Sequence, residues 1–461
     1  MYPTYNIADE QVIRIMQVKE DYLNDVKAKE IKPSKLSETI SAFANAAGGD
    51  VYIGISEVER GGKKRVWDGF SNGEEANDII QSLFSAHPFG NHLKFEFIEN
   101  ANMSGLVLHI TIRKVKEIVK STSGDIYVRV GSGKVKIDTE DKLNRLKLDK
   151  GIISFEDEWV EAPIQCVENS VAIIDFVLNV IPTAEPITYL NNQELIKDGF
   201  VKVSGIILFS DEPPVYIPKR CSIKILRYKT KDDSIGREFL EGQPFTIEGN
   251  AYNIIKFTVA KTKEIVETIK KLSPEGLEEV AYPDETLHEI VTNAVLHRDY
   301  SIAADTQIRI YDNRIEVESP GRLPGHVTAK NILDTQCARN PTVVRLINKF
   351  PDPPNKDVGE GLNTAFDAMR NLRLKDPIIE EKESSLLVTI KHESLASPEQ
   401  IVLEYLESYP EINNRTAREL TGIKSENTMK RVFLRLKERG ELEQIPGRMG
   451  SNAAWRKLIK G

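Results

Sequence analysis

Apolar residues along the chain recur with different periods in different segments, and those periods predict its elements. SKLSETISAFANAA (34–47) has helical spacing and runs through Gly48-Gly49 into an apolar strand, VYIGI (51–55). A glycine pair there suits a helix C-cap followed by strand entry. LKFEFIE (93–99), GLVLHITIRK (105–114) and DIYVRVG (125–131) alternate apolar and polar side chains, the period of a half-buried sheet. Residues 1–150 thus read as mixed α/β, and 151–184 as a connector with a helix. Strands are expected at VSGIILF (203–209) and CSIKILRY (221–228), then a long helix near 248–272 and another at 284–299. QIRIYD (307–312) and RIEVES (314–319) read as strands joined at Asp312-Asn313, a tight-turn signal. FPDPPNKDVGEG (350–361) reads as an ordered loop or lid, and HESLASPEQ (392–400) as a linker before a helical tail, 399–461.

A length of 461 residues fits two to four domains. The 40% hydrophobic and 29% charged fractions are those of a globular protein and argue against disorder. Cys166, Cys221 and Cys337 make no CxxC pair and no zinc spacing, which fits a reducing compartment. The start, MYPTYNIADEQ, does not read as a signal peptide, and no stretch approaches a membrane span. A cytoplasmic protein with no membrane partner is expected. The net charge of −8 excludes a globally basic coat for nucleic acid but not a local patch.

Glu20, Asp25 and Lys27 stand close in sequence ahead of the first helix, and Ser56-Glu57 follows the first strand. Carboxylates from separate elements, converging beside a lysine, suit Mg²⁺ or Mn²⁺ and phosphodiester cleavage; the plainer alternative is a solvated charged face. E-x4-[E/D]-[hydrophobic]-K followed by AFANAAGGDVYIGISE resembles the Schlafen AlbA-type domain over about residues 10–150, including the later YVRVGS. Animal members of that family are tRNA- and rRNA-cleaving endoribonucleases. The resemblance implies catalytic and metal-binding roles for Glu20 and Asp25, with Lys27 as the accompanying basic residue. It implies a third acid, Glu57 first and Asp50 second. A nucleic-acid-binding version without cleavage stays open.

In DETLHEIVTNAVLHRDYS (284–301), Glu289 and Asn293 are four residues apart on one helix face, with His297 one turn further on. Such a Glu can act as general base toward water, and such an Asn can hold Mg²⁺ against phosphates; the alternative is a polar stripe facing solvent. SPGRLPG (319–325) follows a strand, and VGEGL (358–362) precedes a helical pattern. Glycines before a helix N-terminus let backbone N–H groups approach phosphates. This order resembles the ATPase fold of gyrase, a heat-shock chaperone, histidine kinases and MutL. More narrowly, NAVLHRDYS, SPGRLPG and ARNPTVVRLI resemble bacterial RecG-like ATPases and transcriptional regulators over about 185–395. The resemblance implies ATP as cofactor, Glu289 as general base and Asn293 as Mg²⁺ ligand. Ser319 and Gly321 then fall at the adenine side, with Gly359 and Gly361 in the phosphate lid. Ser319 stands where the broad fold carries an adenine-reading Asp.

The tail reads as three helices and two short strands, with Asn413 or Asn414 capping the second helix and Ser425 the third. It resembles a winged helix-turn-helix. Over 399–461 there are 12 Lys/Arg and 9 Asp/Glu. Lys424, Lys430, Arg431, Arg435, Arg448 and Arg456 are candidate nucleic-acid contacts. The fold class expected is α/β (α+β): an AlbA-like domain, an ATPase-like α/β sandwich and a winged helix. The expected function is an ATP-regulated protein acting on RNA through its N-terminal domain and DNA through its tail, in stress or phage defence, with a lean to a homo-oligomer. The alternative is a DNA-binding transcriptional regulator with degenerate front sites.

Overall fold

The computed structural model describes residues 3–59, 63–86, 92–232, 236–273, 276–279, 282–335, 337–354, 361–372, 374–391, 398–421, 423, 425–448 and 453–458. The first unit is built on a five-stranded sheet in the order Thr4–Asn6, Leu93–Glu99, Val107–Ile112, Gly49–Ile53, Asn24–Lys27. Asn24–Lys27 and Gly49–Ile53 are parallel, and helix Pro33–Ala44 makes the crossover between them. Leu36, Ile40 and Phe43 of that helix are buried against Val51, Ile53, Phe95, Ile110 and Ile112. Gly48 and Gly49 have φ of +77° and +153°, and a Cβ would meet Ile112 O at 2.5 Å and Leu23 O at 2.3 Å. Both glycines are therefore required by close passage between neighbouring strands, beyond any cap.

Asn45, at the end of the helix, takes over the next connection. Its Nδ2 donates to Val119 O (2.7 Å) and Tyr127 O (3.0 Å), and its Oδ1 accepts from Val119 N (2.9 Å). This fastens a hairpin, Ile126–Val130 with Gly133–Ile137, onto the helix. The expected strand at 125–131 is thus present, but it forms a separate two-stranded sheet with its hairpin partner, with one further bridge from Ile126 to Lys120, and does not join the main sheet.

VSGIILF differs from the expected strand. Val203–Phe209 is a helix with all seven residues buried. A short, wholly apolar run has no polar face, so its period cannot separate a buried strand from a buried helix. Residues expected as connector contribute Ala162, Val167, Ile173, Phe176 and Val177 to one core with Ile207, Ile225, Ile255, Ile290, Ile310 and Ile390. That core lies on a six-stranded sheet in the order Phe245–Glu248, Ser222–Arg227, Thr306–Ile310, Arg314–Pro320, Ser385–Lys391, Ile378–Glu381. Helices Ala251–Glu267, Asp284–Leu296 and Gly361–Asn371 supply the facing layer. The Asp312-Asn313 turn is where the sequence places it, closed by Tyr311 N to Arg314 O at 2.8 Å.

The last unit has helices Pro398–Ser408, Asn414–Thr421 and Glu426–Glu438 beside a three-stranded sheet of Ile412–Asn413, Ala454–Lys457 and Leu442–Gln444. Phe433 stacks on Trp455 at 5.2 Å in a core with Val402, Met429 and Leu436. Asn413 caps the second helix through Thr416 N (2.8 Å), and Ser425 caps the third through Thr428 N (3.3 Å). The three cysteines are unpaired. No helix among the described residues is long and apolar enough to cross a membrane.

On the sheet face away from helix Pro33–Ala44, His109 is clamped between two carboxylates, Nε2 to Asp50 at 2.8 Å and Nδ1 to Glu96 at 2.9 Å. Tyr52 stacks on its ring at 4.6 Å, and Thr111 also donates to Asp50. Burial works against the imidazolium, but the hydrogen bonds and charges of Asp50 and Glu96 outweigh it and raise the pKa. A raised folded-state pKa stabilises below the unfolded value and is lost as pH rises through the folded value. Replacing His109 by Gln is expected to cost about 2 kcal/mol near pH 6 and much less by about pH 9. Urea unfolding of both proteins across that range checks this; a pH-independent difference would refute the charged clamp.

Candidate functional site

A cavity of about 470 Å³ opens between helix Asp284–Leu296, the strand ending at Pro320 and the start of helix Gly361–Asn371. Glu289, Asn293, His297, Ser319, Gly321 and Gly361 all line it. Ile290, Leu323, Val327, Leu333, Leu386 and Val388 give it apolar walls. Its size and its few converging polar groups are those of a small-ligand site. Asn293 Nδ2 donates to Glu289 Oε1 at 2.8 Å, which leaves the amide oxygen for another partner. Burial raises the Glu289 pKa, only partly offset by Asn293. His297 is pushed down to about 4 by burial and by the charge of Arg339, so it meets a ligand as a neutral ring. A Cβ on Gly361 would lie 2.2 Å from Glu289 Oε1, so a side chain there would push the carboxylate from its place beside the helix start. At Gly321, φ is +103° and a Cβ would lie 2.5 Å from that of Asp299. Gly359 lies outside the described residues.

The N-terminal acids form a separate site. Asp21 Oδ1 accepts from the backbone N–H of Leu23 and Asn24, both at 2.8 Å, and the turn delivers Asp25 into the sheet. Asp25 is 2% exposed. Lys27 Nζ bonds Asp25 Oδ1 and reaches Glu20 Oε1 at 3.2 Å. On the other side, Arg129 Nη1 meets Asp25 Oδ2 at 3.2 Å. Arg129 also donates to Asp21 O and Asn24 O, and lies over the Phe43 ring at 4.6 Å. Burial and the Glu20 carboxylate raise the Asp25 pKa. For Glu20 burial is outweighed by its hydrogen bond with Asp25 and the charge of Lys27, which hold it low.

The expected third acid does not join them. Glu57 faces Arg65 at 3.5 Å on the hairpin Ile55–Glu59 with Lys63–Trp67. Asp50 is in register with Asn24, whereas Asp25 is in register with Val51. Successive strand residues point to opposite faces, so Asp50 points away from Asp25 and toward His109. Among the described residues, no group of three or more His, Cys, Asp or Glu is placed to hold a metal ion. Lys27 and Arg129 already occupy the Asp25 oxygens, so the metal set expected from Glu20, Asp25 and Glu57 is not assembled.

Residues 14–138 match the family described as Schlafen, AlbA_2, and residues 304–390 match the one described as "Putative ATP-dependent DNA helicase recG C-terminal". The chain joins these two domain families. No curated protein matches it. The DIP2311 protein from Corynebacterium diphtheriae is similar at 16% identity and a TM-score of 0.42, covering 97% of this chain and 96% of that one. The AlbA_2 match contains Glu20, Asp25, Lys27 and Arg129. The RecG-type match contains Ser319, Gly321 and Gly361, while Glu289 and Asn293 on the preceding helix complete the cavity.

Beyond both matches, the basic residues of the tail divide. Arg435 pairs with Glu399 (2.6 Å), Arg448 with Glu411 (2.5 Å) and Arg456 with Glu443 (2.7 Å). Lys430 and Arg431 are exposed on helix Glu426–Glu438 and are not ion-paired among the described residues. Lys424 lies outside the described residues. Four residues escaped the sequence reading. Arg129 and Asn45 sit inside the AlbA_2 motifs that were read, YVRVGS and AFANAAGG, yet only the fold reveals their long-range partners. Arg322 and Asp334 line the cavity beside residues that were named.

Replacing Arg129 by Met would leave Asp25 buried without its guanidinium and would remove three hydrogen bonds to two backbone carbonyls, Asp21 O and Asn24 O. The expected cost is about 3–5 kcal/mol, the usual result of breaking a buried pair on one side. Urea unfolding of the AlbA_2 domain's transition measures it; an unchanged midpoint would remove Arg129 from the site.

Proposed function

We propose that this chain binds ATP in the central cavity and acts on nucleic acid through its AlbA_2 domain. The observation that carries the reading is the meeting of Glu289, Asn293, Ser319, Gly321 and Gly361, from three segments of chain, on one cavity. The apolar walls suit a base, and the glycine-opened helix start suits phosphates. Asn293 Oδ1 would hold Mg²⁺, which when bound neutralises phosphate charge. Glu289 is placed to take a proton from water, and burial raises its pKa above the ordinary carboxylate value, which makes it a stronger base. Ser319 offers a hydroxyl where an Asp would fix the adenine amino group, so selectivity among bases is expected to be modest.

For the AlbA_2 domain, the arrangement favours nucleic-acid binding over metal-dependent endoribonuclease action. Lys27 reaches both Glu20 and Asp25, and no third acid among the described residues converges on them. A second contact, with DNA, falls to the tail read as a winged helix, supported by Lys430 and Arg431 on its third helix.

Calorimetric titration with ATP and Mg²⁺ tests the first reading. Gly361→Ala and Asn293→Ala should each weaken binding by about 10-fold or more, the equivalent of one lost charged hydrogen bond. Glu289→Gln should keep binding and lose hydrolysis. If the unaltered protein takes up no ATP, the reading fails. Incubating tRNA with the protein and Mn²⁺ tests the second: binding without cleavage is expected, and Mn²⁺-dependent cleavage abolished in Glu20→Ala would establish a nuclease instead.

A further inference from the structure

One residue belongs to both sites. Arg322 lines the central cavity beside Gly321. Its guanidinium also lies over the ring of Tyr22, 4.7 Å from the centroid, and its Nε donates to Glu381 at 2.9 Å. Tyr22 is in the turn between Glu20 and Asp25, the same turn whose carbonyls Arg129 holds from the other side. Two polar groups at this contact are buried and have no hydrogen-bond partner among the described residues: Arg322 Nη2 and the Tyr22 hydroxyl. The neighbouring backbone is fixed. Lys114 Nζ donates to Leu323 O at 2.6 Å, and Arg339 Nη2 donates to Arg322 O at 2.5 Å. The Arg322 side chain is therefore the adjustable part, shared among Glu381, an aromatic face and the cavity.

We propose that Arg322 and Tyr22 couple the two sites: an anionic ligand in the cavity engages Arg322 Nη2, draws the guanidinium off Tyr22, and loosens the turn that carries Glu20 and Asp25. The inference rests on the reading that the cavity takes ATP. A ligand shifts such an equilibrium only through different contacts in the two states. The unpartnered Nη2 supplies that difference, because a phosphate is a stronger partner for a guanidinium than an aromatic face is. The stacked arrangement is the state without ligand, and the turn is then held from both sides by arginines, Arg322 on Tyr22 and Arg129 on the carbonyls.

Hydrogen exchange of the amides at 20–27 in the full chain, with and without saturating ATP and Mg²⁺, reads the coupling directly. Exchange in the unaltered protein should rise about 5-fold or more on adding ATP, the lower end of ordinary allosteric coupling. Tyr22→Leu should keep its ATP affinity and lose that response. Arg322→Lys, which keeps the charge but not the planar stack, should show a reduced response and decides the matter if Tyr22→Leu does not fold. If ATP binds and the amides do not respond, or if either variant responds like the unaltered protein, the coupling is wrong and the ATP reading stands. If no ATP binds, both are overturned.

Discussion

Asp299 is 1% exposed, and two arginines from distant parts of the chain keep it charged. Arg145 comes from the helix Glu140–Asp149 that closes the AlbA_2 domain, and Arg339 precedes helix Pro341–Ile347. Burial alone would raise the Asp299 pKa, but the two guanidinium charges hold it below the carboxylate range. The Arg339 Nη1 and Nη2 groups also donate to Leu148 O, Asp149 O and Arg322 O. One buried charge thus ties the end of the first domain to the loop that walls the cavity. It also dictates Gly321, since any side chain there would collide with Asp299. The glycine that a sequence motif assigns to a nucleotide is required by this ion pair before any ligand arrives.

The two sites differ in how far their polar groups are already satisfied. At Asp25 both carboxylate oxygens carry cations of the chain itself, and the desolvation penalty is offset by Lys27 and Arg129. A cation entering from solvent would have to displace one of them. In the cavity the pairing is incomplete: Glu289 has Asn293 for one oxygen and the amide oxygen of Asn293 remains, while Arg322 at its wall keeps a buried, unpartnered Nη2. Unmet donors and acceptors in a walled space mark where an external molecule gains most.

What the sequence made legible follows the range of each interaction. The strands at 306–310 and 314–320, the helix from Asp284 and the caps at Asn413 and Ser425 depend on neighbours within a few residues, and they read directly. Glu289 and Asn293 were readable for the same reason, as two positions on one helical turn. Val203–Phe209 was not, because seven apolar residues carry no period at all. The strand at Ile126–Val130 was readable as a strand, while its partner was decided by Asn45, some eighty residues away in sequence. Charges were the least legible. Arg435, Arg448 and Arg456 look like free cations until Glu399, Glu411 and Glu443 are folded against them, and Glu57 looks like a metal ligand until Arg65 faces it.

The seam between the domains is made of directional contacts, not shared packing. The core of the AlbA_2 domain and that of the central unit are separate clusters. Between them stand Lys114 on Leu323 O, the Gly325 N–H on Lys150 O at 3.0 Å, and the Asp299 pairs. Burial and the charge of nearby Lys114 push the Lys150 amine, beside this seam, down to about 7. An apolar interface tolerates small slippage at little cost, because dispersion has no preferred angle. A seam of buried hydrogen bonds does not, since each bond weakens steeply with misalignment and an unpaired buried group is costly. Movement across it is therefore expected to go between discrete sets of partners. That property lets a change in one domain register in the other without disturbing either core.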